Sequence, residues 1–299
     1  MQKKAETSPH PSLFDREIVH AHRRRAALGD WSKYGFLFDE ISDRLAERAQ
    51  DVARKFDRVL DLGCHSGAFA RHLGNYTDAG TVISADLSAD MLETGDLKNA
   101  VVADEEFLPF APASFDMIGS VLSLHWTNDL PGALIQIFRS LKPDGLFLGA
   151  LFGIDSLSEL KTCLTQAELE VCGGISPRIS PFTDVRDAGA LLQRAGFALP
   201  VSDVETITLK YRTAFDLMKE LRFMGEGNAL IDRQKSFTGR AVLMRAAELY
   251  AEQFADAEGL ISASFQIIYL TGWSPHENQQ KPLKPGSGQT SLTDLLSKK

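Results

Sequence analysis

Three acidic residues are the best candidates for chemistry in this sequence. Asp61, Asp86 and Asp104 each lie at the end of a short run of apolar residues. Carboxylate oxygens accept hydrogen bonds from hydroxyl and amino groups, so Asp86 could bind both ribose hydroxyls of a nucleoside. The structural alternative for Asp86 is an aspartate that caps a helix or a turn. Three such acids after three successive apolar runs favour a nucleoside site.

A glycine-containing segment, DLGCHSG at 61–67, begins at the first of these acids. Glycines at the junction of a strand and a helix let the backbone approach a ligand closely. A dinucleotide fingerprint requires G-x-G-x-x-G, but here His65 occupies the middle position and Gly67 comes one residue early. The segment therefore predicts a ligand cradle and disfavours NAD or FAD.

Candidates for proton transfer are fewer. His125 could transfer a proton or fix its loop by hydrogen bonding, and Trp126 is interpreted as a packing residue. Glu226 could bind a guanidinium, or it could belong to a segment whose only role is to end a helix. No metal site is predicted, because residues 17–22 and the basic run at 22–25 are interpreted as a solvated helix face.

Alternating apolar and helical segments predict the elements that position these residues. Such alternation predicts an α/β fold with a mostly parallel sheet, whose carboxyl edge gathers the three acids. Two later segments, 207–211 and 265–273, alternate apolar with polar residues and predict strands that pair antiparallel at the sheet edge. A helical insertion at about 212–258 separates them. The five earlier predicted strands are 59–62, 81–85, 100–103, 115–122 and 146–152.

Composition limits the classes of function. The net charge of −8 disfavours nucleic acid as a partner, and three cysteines without a C-x-x-C pair argue against a disulfide framework. No membrane-spanning or targeting segment is evident, so a cytoplasmic protein is predicted. We expect a polar leader and helix at 1–30, a main domain at 31–275 and a flexible tail at 276–299.

The segment 61–67 resembles motif I of class I S-adenosylmethionine-dependent methyltransferases, with His65 departing from that pattern. The resemblance implies a seven-stranded sheet, S-adenosyl-L-methionine as cofactor, and contact of Asp104 with the adenine amino group. The predicted cofactor-binding residues are Asp61, Gly63, Cys64, His65, Gly67, Asp86, Leu87, Asp104, Glu105 and Ser123.

A narrower resemblance extends over nearly the whole chain. The chain resembles the methyltransferase-like arginine-hydroxylase family of respiratory complex I assembly factors and, more distantly, malonyl-carrier-protein O-methyltransferases. The family resemblance implies hydroxylation of an arginine on a peripheral-arm subunit of complex I, beside the inner membrane. The strings that carry it include LFDR at 13–16, ADEEFLPF at 103–110, LSLHWTNDLP at 122–131, GGISPRISPF at 173–182 and MGEGN at 224–228.

Three functions therefore remain open at this point. The first is an enzyme that hydroxylates a protein arginine, and the second is methyl transfer to a carboxyl group or another small acceptor. The third is a chaperone without catalytic activity, in which the cofactor only stabilises the fold. The segment 173–182 is interpreted as a lid beside the crevice, with the role of Arg178 left open.

Overall fold

The computed structural model describes residues 12–279, so residues 1–11 of the predicted leader and 280–299 of the predicted tail lie outside it. The described residues form a seven-stranded mixed sheet in the order β3-β2-β1-β4-β5-β7-β6. The strands are β1 (Phe56–Leu62), β2 (Ala79–Asp86), β3 (Ala100–Val102), β4 (Phe115–Val121), β5 (Leu141–Phe152), β6 (Ala198–Tyr211) and β7 (Ile261–Trp273).

The predicted fold class is confirmed. Strands β1 to β5 pair in parallel, whereas β7 runs antiparallel between β5 and the outermost strand β6. The crossover between neighbouring parallel strands needs a covering segment, which explains why helices alternate with strands through this half of the chain. The carboxyl ends of β1, β2 and β4 consequently meet at one edge.

Helices cover both faces of the sheet and form the predicted insertion, which consists of α9 and α10 between β6 and β7. The helices are α1 (Arg16–Ala27), α2 (Trp31–Tyr34), α3 (Phe36–Glu47), α4 (Ala68–Tyr76), α5 (Ala89–Thr94), α6 (Leu130–Ser140), α7 (Ser158–Cys172), α8 (Val185–Ala195), α9 (Ala214–Met224) and α10 (Arg240–Phe254).

The core lies on the two faces of the sheet. Val59 of β1 belongs to the cluster under α3, α4, α7, α9 and α10, while its neighbour Leu60 belongs to the cluster under α6 and α8. Both side chains are completely buried, as expected for a central parallel strand that is covered on both sides. Burial of each such side chain stabilises the fold by about 1.5–3 kcal/mol.

One boundary differs from the sequence prediction. The strand predicted at 146–152 begins earlier, at Leu141, so 142–145, whose proline and glycine are typical of a turn, lie within β5. The register of β5 against β4 shifts between Phe115 and Met117, so the extra residues are accommodated as an irregularity of the strand. Asp144 adopts a φ of 63° there. None of the helices at 12–279 combines the length and apolarity needed to cross a membrane.

Candidate cofactor and substrate site

The loop between β1 and α4 has a backbone that requires glycine at two positions. Gly63 has a φ of 64°, and a Cβ atom there would lie 2.0 Å from the Ser123 hydroxyl oxygen. Gly67 has a φ of 74°, and its Cβ would lie 2.4 Å from a methyl carbon of Leu97. Both positions therefore require glycine, because of the left-handed backbone and because a side chain would collide with a neighbouring residue, while the approach of this loop to a ligand stays a prediction.

His65 occupies a third left-handed position in the same loop, with a φ of 50°. Its backbone N–H donates to Asp86 Oδ2 at 2.9 Å, which links the loop to the end of β2. The ring stacks on Trp31 with centroids 5.8 Å apart and lies edge-on to Phe38 at 4.5 Å. Burial lowers the pKa of His65, so the imidazole is neutral at pH 7 and acts here as a packing group.

Asp61 is completely buried at the end of β1. Its Oδ2 accepts a hydrogen bond from the Ala70 N–H at 3.3 Å, whereas its Oδ1 has no partner among residues 12–279. Burial raises the pKa of Asp61 to about 7. Buried oxygens normally have partners, so this free acceptor beside the glycine loop is a place for a donor or cation from a ligand.

Asp86, Glu105 and Ser123 meet at the centre of the site, around the guanidinium of Arg23. Arg23 Nη1 donates to Glu105 Oε1 at 2.7 Å and to Asp86 Oδ1 at 3.4 Å, while Nη2 donates to Ser123 Oγ at 2.7 Å. Burial opposes ionisation of Glu105, but Arg23 and Arg16 outweigh it and hold the pKa of this carboxyl well below its usual range.

Arg16 covers the outer part of the site. Its Nη2 donates to Asp104 Oδ1 at 2.5 Å and to Glu105 Oε2 at 2.7 Å, and its Nη1 donates to the carbonyl oxygen of Trp126 at 3.1 Å. Asp104 also accepts from the Glu106 N–H at 2.9 Å. Helix α1 thus lies across the acids at the carboxyl edge of β2, β3 and β4.

These contacts correct the interpretation of α1 as a solvated helix. Arg23 is 3% exposed and lies in a fully formed acidic site, whereas its neighbour Arg24 points into solvent. The signal was present in the sequence: Arg16, Val19, Arg23 and Ala26 follow the three- and four-residue spacing of a buried helix face. An arginine at a core position of such a face needs a buried anion as its partner.

The other predicted cofactor residues lie around the same edge. Cys64 is buried, and its N–H donates to the carbonyl oxygen of Ala85 at 3.0 Å. Burial also raises the pKa of the Cys64 thiol well above its usual value, so it is not a nucleophile at neutral pH. Leu87 packs against the small apolar cluster of Phe14, Val19 and Trp126.

The three candidates for catalysis form one hydrogen-bonded group. Glu226 Oε2 lies 3.2 Å from His125 Nε2, and its Oε1 accepts from Trp126 Nε1 at 3.3 Å. Trp126 packs edge-on against Phe14 at 5.2 Å, in agreement with its interpretation as a packing residue. Glu226 and Trp126 border a cavity of about 540 Å³ that is also lined by Phe152, Phe182 and other apolar residues.

The segment 173–182 forms one wall of this cavity and has neither helix nor strand in its central part. Arg178, whose role was open, binds Glu168 through its Nε at 2.9 Å and Thr238 through its Nη1 at 2.5 Å. No group of three or more potential metal ligands occurs within the described chain.

Comparison with known proteins identifies the family. A model described as a methyltransferase domain matches residues 60–149. The chain is 42% identical to arginine-hydroxylase NDUFAF5 of Danio rerio, over 95% of this chain and 89% of that protein. Identity to the Homo sapiens protein of the same name is 43%, over 97% and 85%. The chain belongs to the arginine-hydroxylase NDUFAF5 family.

More distant relatives agree with the fold. The malonyl-[acyl-carrier protein] O-methyltransferase of Methylovorus sp. is 33% identical, over 90% of this chain and 93% of that protein. The solved YcgJ protein of Bacillus subtilis superposes with a TM-score of 0.55 at 18% identity, over 79% and 99% of the two chains, which shows the fold alone. The methyltransferase domain and its fold identify S-adenosyl-L-methionine as the cofactor.

The prediction of a cytoplasmic location is wrong. The NDUFAF5 proteins of Danio rerio, Mus musculus and Homo sapiens, at 42–43% identity, are mitochondrial. The prediction rested on the composition of residues 1–11, which is a weaker guide to compartment than a relationship over nearly the whole chain.

Proposed function

We propose that this chain binds S-adenosyl-L-methionine at the carboxyl edge of its parallel strands and acts on a protein arginine during assembly of respiratory complex I. The observation that carries the proposal is 42–43% identity, over almost the full chain, to proteins named arginine-hydroxylase. The cavity next to the acidic site supports it, because a carboxylate suited to a guanidinium lines its wall.

The residues of the site fit the cofactor. The free Oδ1 of Asp61 suits a cationic ammonium group, and Gly63 keeps the loop open to a ligand where a side chain would collide with Ser123. Asp86 accepts from the Ser88 N–H at 2.8 Å, as in the turn that was its structural alternative, and from the His65 N–H at 2.9 Å. Its contact with Arg23, at 3.4 Å, is weaker, and a ribose hydroxyl can replace it. Asp104, which binds Arg16 and the Glu106 N–H through Oδ1, offers its Oδ2 to the adenine amino group, whereas both oxygens of buried Glu105 are already held by protein donors. When bound, the cofactor supplies an activated methyl group on a sulfonium.

Aromatic residues surround His125 on the substrate side of the site. Phe152 and Phe182 lie within aromatic contact of His125, which excludes water from that side of the ring. His125 Nδ1 is buried and has no hydrogen-bond partner in the described structure, so a hydrogen-bond position stays open at that atom. Glu226 orients His125 through its other ring nitrogen.

The second candidate function is methyl transfer to a carboxyl group. It is favoured by the 33% identity to a malonyl-[acyl-carrier protein] O-methyltransferase. The two reactions leave different masses on the product, since hydroxylation adds one oxygen atom and methylation adds one methylene unit. Peptide mass spectrometry of complex I subunits from cells with and without the gene distinguishes them. If assembly fails while no subunit changes mass, the proposed action on an arginine of a complex I subunit is wrong.

Cofactor binding has its own test. Calorimetric titration with S-adenosyl-L-methionine should give binding that Asp86→Asn weakens by about tenfold or more, because one ribose acceptor becomes an amide. The matched control is Asp203→Asn, an exposed aspartate on β6 that pairs with Arg48 on the surface. Equal affinity in the wild type and Asp86→Asn would remove Asp86 from the cofactor site.

A further inference from the structure

The 540 Å³ cavity has opposite charges at its inner wall and at its mouth. Glu226, whose side chain is 7% exposed, is the only acidic residue among the described residues that line it. Arg25, Lys219 and Arg222 also line the cavity, and the latter two are exposed to solvent. A ligand that enters therefore meets cations first and a carboxylate further inside.

Glu226 lacks a strong cationic partner. Within residues 12–279 no lysine or arginine lies at ion-pair distance from it, and its hydrogen bonds come from His125 and Trp126, one to each oxygen. An ionised carboxylate offers about four acceptor positions, so roughly two stay free. Two free positions on one carboxylate match the two parallel N–H groups of a guanidinium.

The cations at the mouth are not neutralised either. In the described part of the chain, Arg25, Lys219 and Arg222 form no salt bridge with a carboxylate. Burial and the neighbouring charge of Arg222 lower the pKa of Arg25, and Arg25 Nη2 donates to the carbonyl oxygen of Arg222 at 3.4 Å. These three cations create a local positive potential although the chain as a whole has a net charge of −8, and such a potential favours binding of an anion.

A second cavity adjoins the first across a shared wall. This neighbouring cavity of about 490 Å³ shares Arg178 and Ile179 with the first. Its lining includes Leu13 and Ile175, two apolar side chains that are 42% and 67% exposed. Exposed apolar residues beside a charged mouth suit the backbone and side chains of a polypeptide.

We propose that the cavity binds an arginine side chain of a partner polypeptide whose neighbouring residues are acidic. Glu226 binds the guanidinium, and Arg25, Lys219 and Arg222 bind the flanking carboxylates. The inference rests on the proposed function and deepens it, because it states the charge pattern around the modified arginine. Electrostatic complementarity of this kind determines which partner is selected.

The test uses three short peptides with one central arginine, flanked by aspartates, by serines or by lysines. Binding to the full chain saturated with S-adenosyl-L-methionine is measured by fluorescence anisotropy. The aspartate peptide should bind about tenfold more tightly than the lysine peptide at low salt, and the difference should shrink as salt is added. Replacing the central arginine by uncharged citrulline should weaken binding of every peptide.

Two pairs of variants separate the two ends of the cavity. Arg222→Glu should abolish or reverse the preference for acidic flanks, whereas Arg212→Glu, an exposed position outside the lining, should leave it unchanged. Glu226→Gln should weaken all arginine peptides by a similar factor and preserve their order. Its control is Glu258→Gln, which is exposed and distant from the cavity lining.

The possible failures are distinguishable. If arginine peptides bind equally whatever their flanks, the inference about the partner is overturned and the proposed function stands. If no arginine peptide binds while S-adenosyl-L-methionine does, the protein-arginine substrate itself is overturned. If Arg212→Glu alters the preference as much as Arg222→Glu, the selection arises from the net charge of the protein. The assignment of Arg25, Lys219 and Arg222 as the residues that bind the acidic flanks is then wrong.

Discussion

Asp61 is a buried acid whose charge the ligand-free protein stabilises poorly. Of the residues that the structure describes, only Ala70 donates to it, through its N–H, and burial raises its pKa to about 7. In the unfolded chain the same carboxyl ionises at its ordinary value of 3.8. Between these two pH values the folded form holds a proton that the unfolded form has released, so this group makes the protein less stable as pH rises.

Asp61→Asn should therefore stabilise the ligand-free protein at neutral pH. The gain in free energy of unfolding relative to the wild type should grow from about pH 4 to about pH 7 and reach roughly 2–4 kcal/mol. Urea unfolding at several pH values measures it. A gain that does not depend on pH would show that Asp61 ionises normally in the folded protein.

A second prediction at the scale of single residues concerns the substitution of Gly63 by alanine. Gly63→Ala places a Cβ 2.0 Å from the Ser123 hydroxyl oxygen at a φ of 64°, so the loop or the serine must move. We expect a loss of stability of at least about 1–3 kcal/mol and a loss of cofactor affinity measured by calorimetry.

The control for Gly63→Ala lies on the helix that follows the same loop. A Cβ at Gly74 of α4 would have no atom within 4 Å, so Gly74→Ala should be neutral or stabilising by about 0.5–1 kcal/mol. If both substitutions have the same effect on cofactor affinity, the close approach at Gly63 has no role in binding.

At the scale of elements, α1 determines whether the acidic site is neutralised. Arg23→Ala leaves Asp86 and Glu105 without their shared cation, and breaking a buried ion pair in this way costs about 3–5 kcal/mol. Arg24→Ala removes an exposed guanidinium 3.7 Å from Asp90 and should cost less than about 0.5 kcal/mol. Urea midpoints of the two variants measure the difference. Similar midpoints would contradict the buried position of Arg23.

The strands and the mostly parallel sheet could be predicted from sequence because the signals are local. Apolar runs such as 59–62 and 115–122, separated by helical segments, leave few arrangements other than a parallel sheet. The irregular start of β5 was missed, because proline and glycine at 142–145 are typical of a turn and also tolerated at a strand irregularity.

The candidate site could be predicted only in part. Acids at strand ends are adjacent in space because the sheet requires it, so Asp61, Asp86 and Asp104 could be grouped in advance. The partners Arg16 and Arg23 come from a helix that precedes the sheet. The spacing of its residues indicates a buried face but not the part of the protein on which that face packs. The contact of Glu226 with His125 likewise joins residues 101 positions apart through the helical insertion.

At the scale of the whole molecule, cofactor binding should appear as thermal stabilisation. A ligand that binds only the folded state contributes about 2.7 kcal/mol at a hundredfold excess over its dissociation constant. For a chain of this size that free energy raises the melting temperature by roughly 5–10 °C. Differential scanning fluorimetry with S-adenosyl-L-methionine measures it, with NAD as the control ligand. A shift with NAD but not with S-adenosyl-L-methionine would refute the cofactor assignment.

Helix α1 has one further consequence, because it touches both halves of the site. Arg23 lies against Asp86 and Glu105, while His22 and Arg25, its near neighbours on the helix, line the 540 Å³ cavity. Any shift of the helix on cofactor binding therefore alters the mouth through which a partner enters. Thermodynamic reciprocity then requires that each ligand change the affinity for the other by the same factor. Peptide titrations with and without cofactor therefore give the factor by which the peptide changes the affinity for the cofactor.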